Sequence, residues 1–306
     1  MKLKPDRNQI VFLPDALRNV SAKAGCRVSG TKDRNEILSK NILTEAKGYL
    51  DIGFTHSLNP YSGCAFACKY CYVREMPIQK FRPLPWGEWL DVKINAAENY
   101  RKEIASLRRR NKPVRIFMSS ATDPYQPAER EVKLTRTILE TMIEHPPDFL
   151  QIQTRGPLVA RDIDLLAELK EKCELLVSIT IETDREEMKR IFAPAAPGVR
   201  LRLKALKEVH DAGIFTQAAI SPVLPFTPEF PKLLAGIADR IWIDTLQIGD
   251  GSMGKRSERL GMPQLFEEHD LSKWYRKDLH VMVENDFKPF FPGEMIRVSK
   301  EEAFPH

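Results

Sequence analysis

The sequence predicts an α/β protein in which six β-strand–α-helix units share one largely parallel sheet. From about residue 50 onward, short apolar runs alternate with segments of helical periodicity, the pattern of such units. Several runs consist almost entirely of Ile, Val, Leu and Phe, so we expect strands buried on both faces. Right-handed crossovers would curl six units into a partial barrel or a doubly wound sheet, and both place the ligand site at the carboxyl ends of the strands. The candidate strands are residues 50–57, 114–120, 150–155, 174–182, 214–221 and 240–248.

Two helices between these strands are predicted from apolar residues spaced by three and four. The later helix carries Val199, Leu203, Leu206 and Val209, and Gly213 follows it as a candidate left-handed cap. Both helices fit crossovers that pack an apolar side onto the sheet. The apolar stripe of the earlier helix is made by Trp86, Leu90, Ile94, Ala97, Tyr100, Ile104 and Leu107.

The sequence pattern divides the chain into a central barrel and two extensions. Residues 1–49 are polar and irregular, and we expect them to pack on the barrel rather than form a domain. Residues 50–250 hold the six units. Residues 251–306 form a C-terminal extension that packs on the barrel, predicted to be mostly helical over 262–291 and then a Pro-containing strand or coil. The glycine-rich, basic segment 249–259 is predicted to be a mobile loop at the mouth of the site.

Composition excludes several classes of protein. With 306 residues, 42% of them hydrophobic, the chain can bury a substantial core, which excludes disordered and fibrous proteins. Lys and Arg exceed Asp and Glu by 47 to 42, a basic excess too small to indicate a nucleic-acid-binding tail. The first twelve residues lack a continuous apolar segment, and no run approaches bilayer length. We therefore expect a reduced, cytoplasmic protein with no signal peptide and no membrane partner.

Three of the five cysteines lie within eight positions. Cys64, Cys68 and Cys71 have CxxxCxxC spacing and follow the first predicted strand, at the expected ligand-binding edge. Structural zinc usually takes four protein ligands, whereas an iron–sulfur cluster held by only three cysteines leaves one iron open to a substrate or cofactor. His56 or Cys26 could complete a zinc site, so zinc remains an alternative to the cluster.

The CxxxCxxC spacing in this position resembles the signature of the radical S-adenosylmethionine (SAM) superfamily. The resemblance implies a partial (β/α)6 TIM-like barrel that holds a [4Fe–4S] cluster and SAM. In that superfamily an electron from the cluster cleaves SAM to methionine and a 5′-deoxyadenosyl radical, which abstracts a hydrogen atom from the substrate. Flavodoxin or ferredoxin is the implied kind of electron donor.

Four sequence blocks resemble the spore photoproduct lyase-like, or DNA repair photolyase-like, radical SAM proteins. They lie between about residues 50 and 225, so the resemblance covers the barrel and is weak for both ends. The blocks are NPYSGCAFACKYCY from Asn59, SSATDPYQPAERE from Ser119, QTRGPLVARDIDLL from Gln153, and SITIETDREEMKRIFAPAAPGVRLRLKAL from Ser178.

The resemblance implies contacts to the adenine and methionine parts of SAM. Tyr70 matches an aromatic residue near the adenine, where a flat ring can stack. Thr122 and Asp123 match the stretch that holds the methionyl amino group, although an Asp before Pro124 also fits a simple turn. Arg155 ends the third strand, and its guanidinium could pair with the SAM carboxylate.

The fourth predicted strand carries an unexpected polar face. Ser178, Thr180 and Glu182 alternate along it and therefore point the same way. Recognition of the SAM ribose hydroxyls would explain this pattern. The alternative is a sheet edge exposed to water.

Tyr72 and Ser120 are the candidate catalytic residues. Tyr72 matches a tyrosine that the lyase is thought to use in returning a hydrogen atom, and core packing is the alternative. The lyase also uses a cysteine after its second strand, and here Ser120 stands at or next to that position. A serine O–H bond is too strong to donate a hydrogen atom readily, so repair by the lyase route is in question.

Three functions are compatible with the sequence. The first is a lyase-like radical SAM enzyme acting on nucleic acid, with DNA as partner and lesion repair or base modification as the reaction. The second is a radical SAM enzyme that modifies a peptide or small molecule. The third is a non-enzymatic, zinc-stabilised nucleic-acid-binding protein.

Overall fold

The computed structural model describes residues 33–299. The strands are β1 (Asp33–Ile37), β2 (Leu43–Glu45), β3 (His56–Leu58), β4 (Tyr61–Ser62), β5 (Trp89–Lys93), β6 (Arg115–Met118), β7 (Phe149–Thr154), β8 (Glu174–Thr180), β9 (Thr216–Ile220), β10 (Arg240–Ile243) and β11 (Ile296–Val298).

Helices occupy most of the connections between the strands. They are α1 (Pro77–Lys80), α2 (Ala96–Arg109), α3 (Glu129–Val132), α4 (Leu134–Glu144), α5 (Ile163–Leu169), α6 (Glu186–Phe192), α7 (Val199–Asp211), α8 (Phe230–Ala235), α9 (Lys255–Arg259), α10 (Met262–Glu268) and α11 (Leu279–Phe287). Short 3₁₀ segments cover Gly48–Ile52, Tyr72–Glu75, Pro157–Asp162, Ser272–Trp274 and Gly293–Met295. Within residues 33–299, no helix is both long and apolar enough to cross a membrane.

The main sheet has eight strands in the order β11-β10-β9-β8-β7-β6-β3-β2. The strands from β3 to β11 run parallel, and only β2 is antiparallel to its neighbour. A second sheet of three strands has the order β1-β5-β4. The predicted α/β fold with six parallel βα units is therefore confirmed, without a closed barrel among the described strands.

The two faces of the main sheet differ in chemistry. Alternate residues such as Ile152, Ile179 and Ile241 belong to the large apolar core that the helices cover. By strand alternation, the residues between them point to the other face. Polar side chains are frequent there, and we call this surface the polar face, defined by Gln151, Gln153, Ser178, Thr180, Gln217 and Arg240.

Residues far apart in the chain are in contact beside β10 and β11. The Tyr49 hydroxyl lies 3.4 Å from the hydroxyl of Ser299, just beyond β11. The Tyr49 ring also meets the Trp242 ring of β10 edge to face, with centroids 6.4 Å apart. We call these contacts the clasp.

The first predicted strand and the first predicted helix begin at the wrong residues. Residues 48–52 form a 3₁₀ turn, because Gly48 adopts a φ of +62°, and the strand starts only at His56. Trp89–Lys93 is strand β5, with Leu90 and Val92 both buried, so helix α2 starts at Ala96. A short apolar run is compatible with a helix or with a strand. Here pairing with β1 and β4 makes residues 89–93 a strand.

Both ends of the described chain add strands to the sheets. β1 and β2 come from the predicted N-terminal extension, whereas β11 comes from the predicted C-terminal one. The helical segments α10 and α11 lie within residues 262–291, as expected, and Gly213 takes the expected left-handed conformation with a φ of +69°. The division into barrel and extensions stays a prediction.

Candidate active site

The three clustered cysteines lie in one loop between β4 and the 3₁₀ turn that starts at Tyr72. Gly63, just before Cys64, has a φ of +84°, and a Cβ there would lie 2.4 Å from the Trp89 backbone oxygen. Only glycine fits both the conformation and the close approach. The loop therefore begins tightly against β5.

Gln126 fixes the backbone on both sides of Cys64. Its side-chain oxygen accepts a hydrogen bond from the Ala65 N–H at 3.0 Å, and its side-chain nitrogen donates to the Gly63 oxygen at 3.3 Å. The same nitrogen donates to the backbone oxygen of Asp123 at 3.2 Å, and Gln126 is fully buried. Gln126 therefore ties the cysteine loop to the loop after β6. Sequence reasoning missed it because its partner loop lies about sixty residues away.

Arg74 closes the other end of the cysteine loop. Its Nε donates to the Cys68 oxygen at 2.9 Å and its Nη2 to the Ala67 oxygen at 2.7 Å. Ala67 has a left-handed φ of +49° and lies outside any helix. Its carbonyl oxygen accepts its hydrogen bond from Arg74 instead of from a helix N–H.

The thiols themselves are held in a desolvated environment. Burial raises the pKa of Cys64 well above its usual range, raises the pKa of Cys68, and raises that of Cys71 to about 11. Deprotonation therefore requires a cation at the site, and bound iron supplies one. Three thiols on one fixed loop fit the three-cysteine ligation of a [4Fe–4S] cluster.

The described residues do not form the zinc set considered as the alternative. Among residues 33–299, no three His, Cys, Asp or Glu side chains converge on a position for a single metal ion. His56 lies on β3, where its Nδ1 contacts the Thr55 hydroxyl at 2.8 Å. Cys26 lies outside the described residues.

A buried ionic network joins the cysteine loop to the end of β8. The Tyr70 hydroxyl donates to Glu182 Oε1 at 2.5 Å. Arg155 Nη1 donates to the Tyr70 hydroxyl at 2.7 Å and to Glu182 Oε1 at 2.6 Å. Arg202 Nη1, from helix α7, contacts Glu182 Oε2 and donates to the Thr180 oxygen at 2.8 Å. Tyr70, Arg155, Thr180 and Glu182 were predicted site residues, whereas Arg202 was not.

The two arginines keep Glu182 ionised. Burial alone would raise the pKa of Glu182, but the charges of Arg202 and Arg155 outweigh burial and lower its pKa to about 2. The Arg202 side chain is fully buried, and its Nε and Nη2 have no hydrogen-bond partner among the described residues. The charge of Glu182 is thus the main compensation for a desolvated guanidinium.

Asp123 supports the loop that contains it. Its Oδ1 accepts hydrogen bonds from the Tyr125 N–H at 2.9 Å and the Thr154 hydroxyl at 2.7 Å, and its Oδ2 accepts one from the Arg155 N–H at 2.8 Å. These hydrogen bonds are those of the turn interpretation, and the SAM contact of Asp123 stays a prediction. Its neighbour Thr122 is only weakly engaged, 3.4 Å from the Tyr61 oxygen.

Ser178 and Thr180 contact neighbouring strands rather than open space. Ser178 Oγ accepts from Gln217 Nε2 at 2.8 Å, and Thr180 Oγ1 accepts from Gln153 Nε2 at 2.9 Å. Both residues are buried, so the water-exposed edge is excluded. Of the three alternating residues, only Glu182 lies beyond the end of β8 with Tyr70 and Arg155.

The two candidate catalytic residues are in contact. The Tyr72 hydroxyl donates to the Ser120 backbone oxygen at 2.5 Å. Ser120 Oγ lies 3.3 Å from Asn59 Nδ2. The preceding Ser119 has a left-handed φ of +75°, rare for a serine, and its buried hydroxyl has no partner among the described residues. The loop after β6 is therefore held in a strained shape beside Tyr72.

In the loop after β10, four backbone N–H groups donate hydrogen bonds to the side chain of Asp250. Asp250 Oδ1 accepts from the Ser252 and Gly254 N–H groups at 2.8 and 3.0 Å. Its Oδ2 accepts from the Arg256 and Ser257 N–H groups at 2.9 and 3.0 Å. The expected mobile loop is instead a structured turn into α9.

Comparison with known proteins agrees with this geometry. A sequence model of the Radical SAM superfamily matches residues 58–234, more than half of the chain. An uncharacterised protein of Methanocaldococcus jannaschii is 35% identical over 173 residues, 56% of this chain and 62% of that protein. The radical SAM Nalpha-GlyT isomerase of Pseudomonas phage M6 is 25% identical over 168 residues, 54% of this chain and 32% of that protein. The chain thus spans less than two thirds of the length of these curated relatives.

A solved structure shows the same fold. Spore photoproduct lyase, as a variant with bound AdoMet and dinucleoside spore photoproduct, matches with a TM-score of 0.60 at 14% identity, over 87% of this chain and 81% of that one. Fold and family together place the chain among α/β proteins of the class that uses a [4Fe–4S] cluster and SAM. The chain belongs to the radical SAM superfamily.

Proposed function

We propose that Cys64, Cys68 and Cys71 ligate the [4Fe–4S] cluster of this radical SAM enzyme. The observation that carries the proposal is the single loop that presents three thiols, Cys68 buried and the other two half-buried, closed by Gln126 at one end and Arg74 at the other. When bound and reduced, the cluster supplies the electron that cleaves SAM to methionine and a 5′-deoxyadenosyl radical. The chain's contribution is to fix the ligands and exclude water.

Tyr70, Arg155 and Glu182 form the SAM-binding side of the site in this proposal. Tyr70 precedes the third cysteine, so its ring position is set by the cluster loop and by its bond to Glu182. Arg155 carries a positive charge suited to the SAM carboxylate while one of its nitrogens holds Tyr70. Glu182 can accept ribose hydroxyls because its flanking arginines keep it ionised. Thr122 remains the candidate for the methionyl amino group.

The substrate proposed for this site is nucleic acid. The four sequence blocks that resemble the spore photoproduct lyase-like proteins support it, and the lyase has the matching fold. Because no cysteine stands in the loop after β6, the reaction need not be the lyase's own: lesion repair or base modification with another hydrogen donor is proposed. Tyr72, bonded to the Ser120 carbonyl, is the nearby candidate for that donor.

The experiment that tests the function is SAM cleavage by anaerobically reconstituted protein. Iron near four per chain and dithionite-driven release of 5′-deoxyadenosine are expected, with stimulation by UV-damaged DNA. Replacing Cys64, Cys68 or Cys71 with Ala should abolish cleavage and leave the circular dichroism spectrum native. Cys173→Ala is the matched control and should cleave SAM normally, since Cys173 packs beside the apolar core. Cleavage retained in any of the first three variants would refute the ligand assignment, and stimulation by peptides instead of DNA would refute the substrate.

A further inference from the structure

The polar face of the main sheet carries a row of polar residues across four strands. The register pairs Gln153 of β7 with Ser178 of β8, Ser178 with Gln217 of β9, and Gln217 with Arg240 of β10. Gln217 Nε2 donates to Ser178 Oγ at 2.8 Å, and Arg240 Nε donates to Gln217 Oε1 at 2.8 Å. The row therefore ends in a guanidinium oriented by hydrogen bonds.

Arg240 is a buried cation without a carboxylate partner in the described part of the chain. Its residue surface is only 4% exposed, and no ion pair joins it to any acid within residues 33–299. Of its five N–H groups, one has an acceptor among the described residues, the neutral Gln217 oxygen. Its other contact is the face of the Phe215 ring, 5.9 Å from the guanidinium carbon.

The charge that shifts the pKa of Arg240 has the same sign as Arg240 itself. Burial, and then the charge of Arg297 on β11, lower the pKa of Arg240 to about 10. A desolvated cation next to a second cation costs free energy that hydrogen bonding to one amide does not offset. Among the described residues nothing explains why a guanidinium, rather than an apolar side chain, occupies this position. A bound anion would explain it.

We propose that Arg240, oriented by Gln217 and Ser178, binds a phosphate group of the substrate on the polar face. Phosphate suits the site because guanidinium presents paired N–H groups that match two phosphate oxygens. The inference rests on the proposed function and extends it: the substrate is a phosphorylated molecule, and its phosphate is anchored below the reacting group.

The distance to the cofactor network suits a ligand of nucleotide to dinucleotide size. Arg240 shares its register row with Ser178 of β8, and Glu182 follows Ser178 four positions later, beyond the end of β8. Four residues of extended chain span about 13 Å. A ligand that contacts both Arg240 and Glu182 must therefore span about 13 Å.

The test is isothermal titration of the reconstituted protein, without reductant, against four probes. They are inorganic phosphate, thymidine 5′-monophosphate, the dinucleotide TpT and thymidine. The expected order places the phosphate-bearing probes above thymidine, and Arg240→Gln should weaken them by at least about tenfold, as expected for a lost charge-assisted hydrogen bond. Arg240→Lys keeps the charge and should bind with intermediate affinity. Arg109→Gln removes an exposed positive charge from the end of α2 and should change nothing.

The melting temperature is a second readout, independent of the calorimetric titration. Phosphate should raise the melting temperature of the wild-type and Arg240→Lys proteins and leave that of Arg240→Gln unchanged. Tighter binding of TpT than of the monophosphate identifies a nucleic-acid phosphodiester, and the reverse order identifies a free phosphate monoester. Equal binding of every probe to wild type and Arg240→Gln, or thymidine bound as tightly as its monophosphate, would overturn the proposal. Neither result bears on SAM cleavage, so the two proposals fail separately.

Discussion

Arg202 illustrates how much of the site depends on a single residue outside it. It lies on helix α7, behind Glu182, and touches none of the thiols by hydrogen bond. Because it is fully buried, its charge is balanced chiefly by Glu182, and the position of Glu182 in turn fixes Tyr70 and Arg155. We therefore treat Arg202 as a positioning residue.

Replacing Arg202 with Met should destabilise the protein by about 3–5 kcal/mol, the cost of leaving a buried charge without its partner. Urea unfolding monitored by circular dichroism measures this change. Arg185→Met is the matched control, since it removes an exposed partner of Glu187 and should cost about 1 kcal/mol or less. SAM affinity, measured by titration, should also fall in Arg202→Met and remain in the control. If the Arg202→Met protein were as stable as the wild type and bound SAM with unchanged affinity, the positioning role of Arg202 would be wrong.

Residues with short-range sequence signals could be predicted, and residues defined by distant partners could not. The spacing of Cys64, Cys68 and Cys71 is local, so it is visible in the sequence. Gln126 and Arg202 act on backbone or charges 20 to 63 positions away, which no local pattern records. The hydrogen bonds that Asp123 accepts from Thr154 and from the Arg155 N–H could not be predicted either, because they join it to the end of another strand.

At the scale of elements, the cysteine loop depends on how closely it approaches β5. Gly63 combines a left-handed φ with a Cβ position that the Trp89 backbone already occupies. At this point the loop therefore lies closer to β5 than a residue with a Cβ would allow, directly before Cys64. The packing against β5 thus positions the first of the three proposed cluster ligands.

Gly63→Ala should lower the amount of iron that the reconstituted chain retains and destabilise the apo-protein. The physical reason is a clash at 2.4 Å with backbone, which cannot rotate away. Gly48→Ala is the control: its φ of +62° carries similar strain, but a Cβ there meets nothing within 4 Å. Iron content and unfolding by urea check both variants. Equal losses in the two variants would show that conformational strain alone matters and that the contact with β5 does not.

Strand and helix positions could be predicted where tertiary pairing agrees with local pattern. Five of the six predicted strands overlap β6 to β10, because buried parallel strands are continuous apolar runs. The helix predicted from Trp86 was wrong as far as Lys93, because the apolar spacing there also fits a helix. Pairing with β1 and β4 makes residues 89–93 a strand. The polar row on β7 to β10 was visible only in part, since Ser178 and Thr180 were noted without Gln217 or Arg240.

At the scale of the whole molecule, buried carboxyl groups make stability depend on pH in opposite directions. Burial raises the pKa of Asp244, after β10, to about 6, from an ordinary value of 3.8. The native state then binds a proton more tightly than the unfolded state, so this group's contribution to stability falls as pH rises from about 4 to 6. Glu182 behaves oppositely: with its pKa lowered to about 2, its contribution is present above pH 4.5 and is lost below it.

Asp244→Asn should therefore stabilise the protein more at pH 7.5 than at pH 5, by on the order of 1–3 kcal/mol. One of the carboxylate oxygens of Asp244 is buried without a partner among the described residues, so removing its charge removes a desolvation cost. Urea unfolding at both pH values, above the range where Glu182 titrates, gives the difference. Asp51→Asn, at an exposed position, controls for net charge and should show no such dependence. An equal effect of Asp244→Asn at the two pH values would contradict the assignment.

The clasp has a consequence for the order in which the molecule can build itself. From β3 to β11 the sheet order follows the chain order, so each strand leaves the ribosome with its partner already made. The cysteine loop and Gln126 are synthesised early, whereas Arg202 follows some seventy-six residues after Gln126, and Ser299 reaches Tyr49 only once β11 has joined. A growing chain therefore presents its three thiols well before Arg202, whose charge organises the rest of the site, has been synthesised.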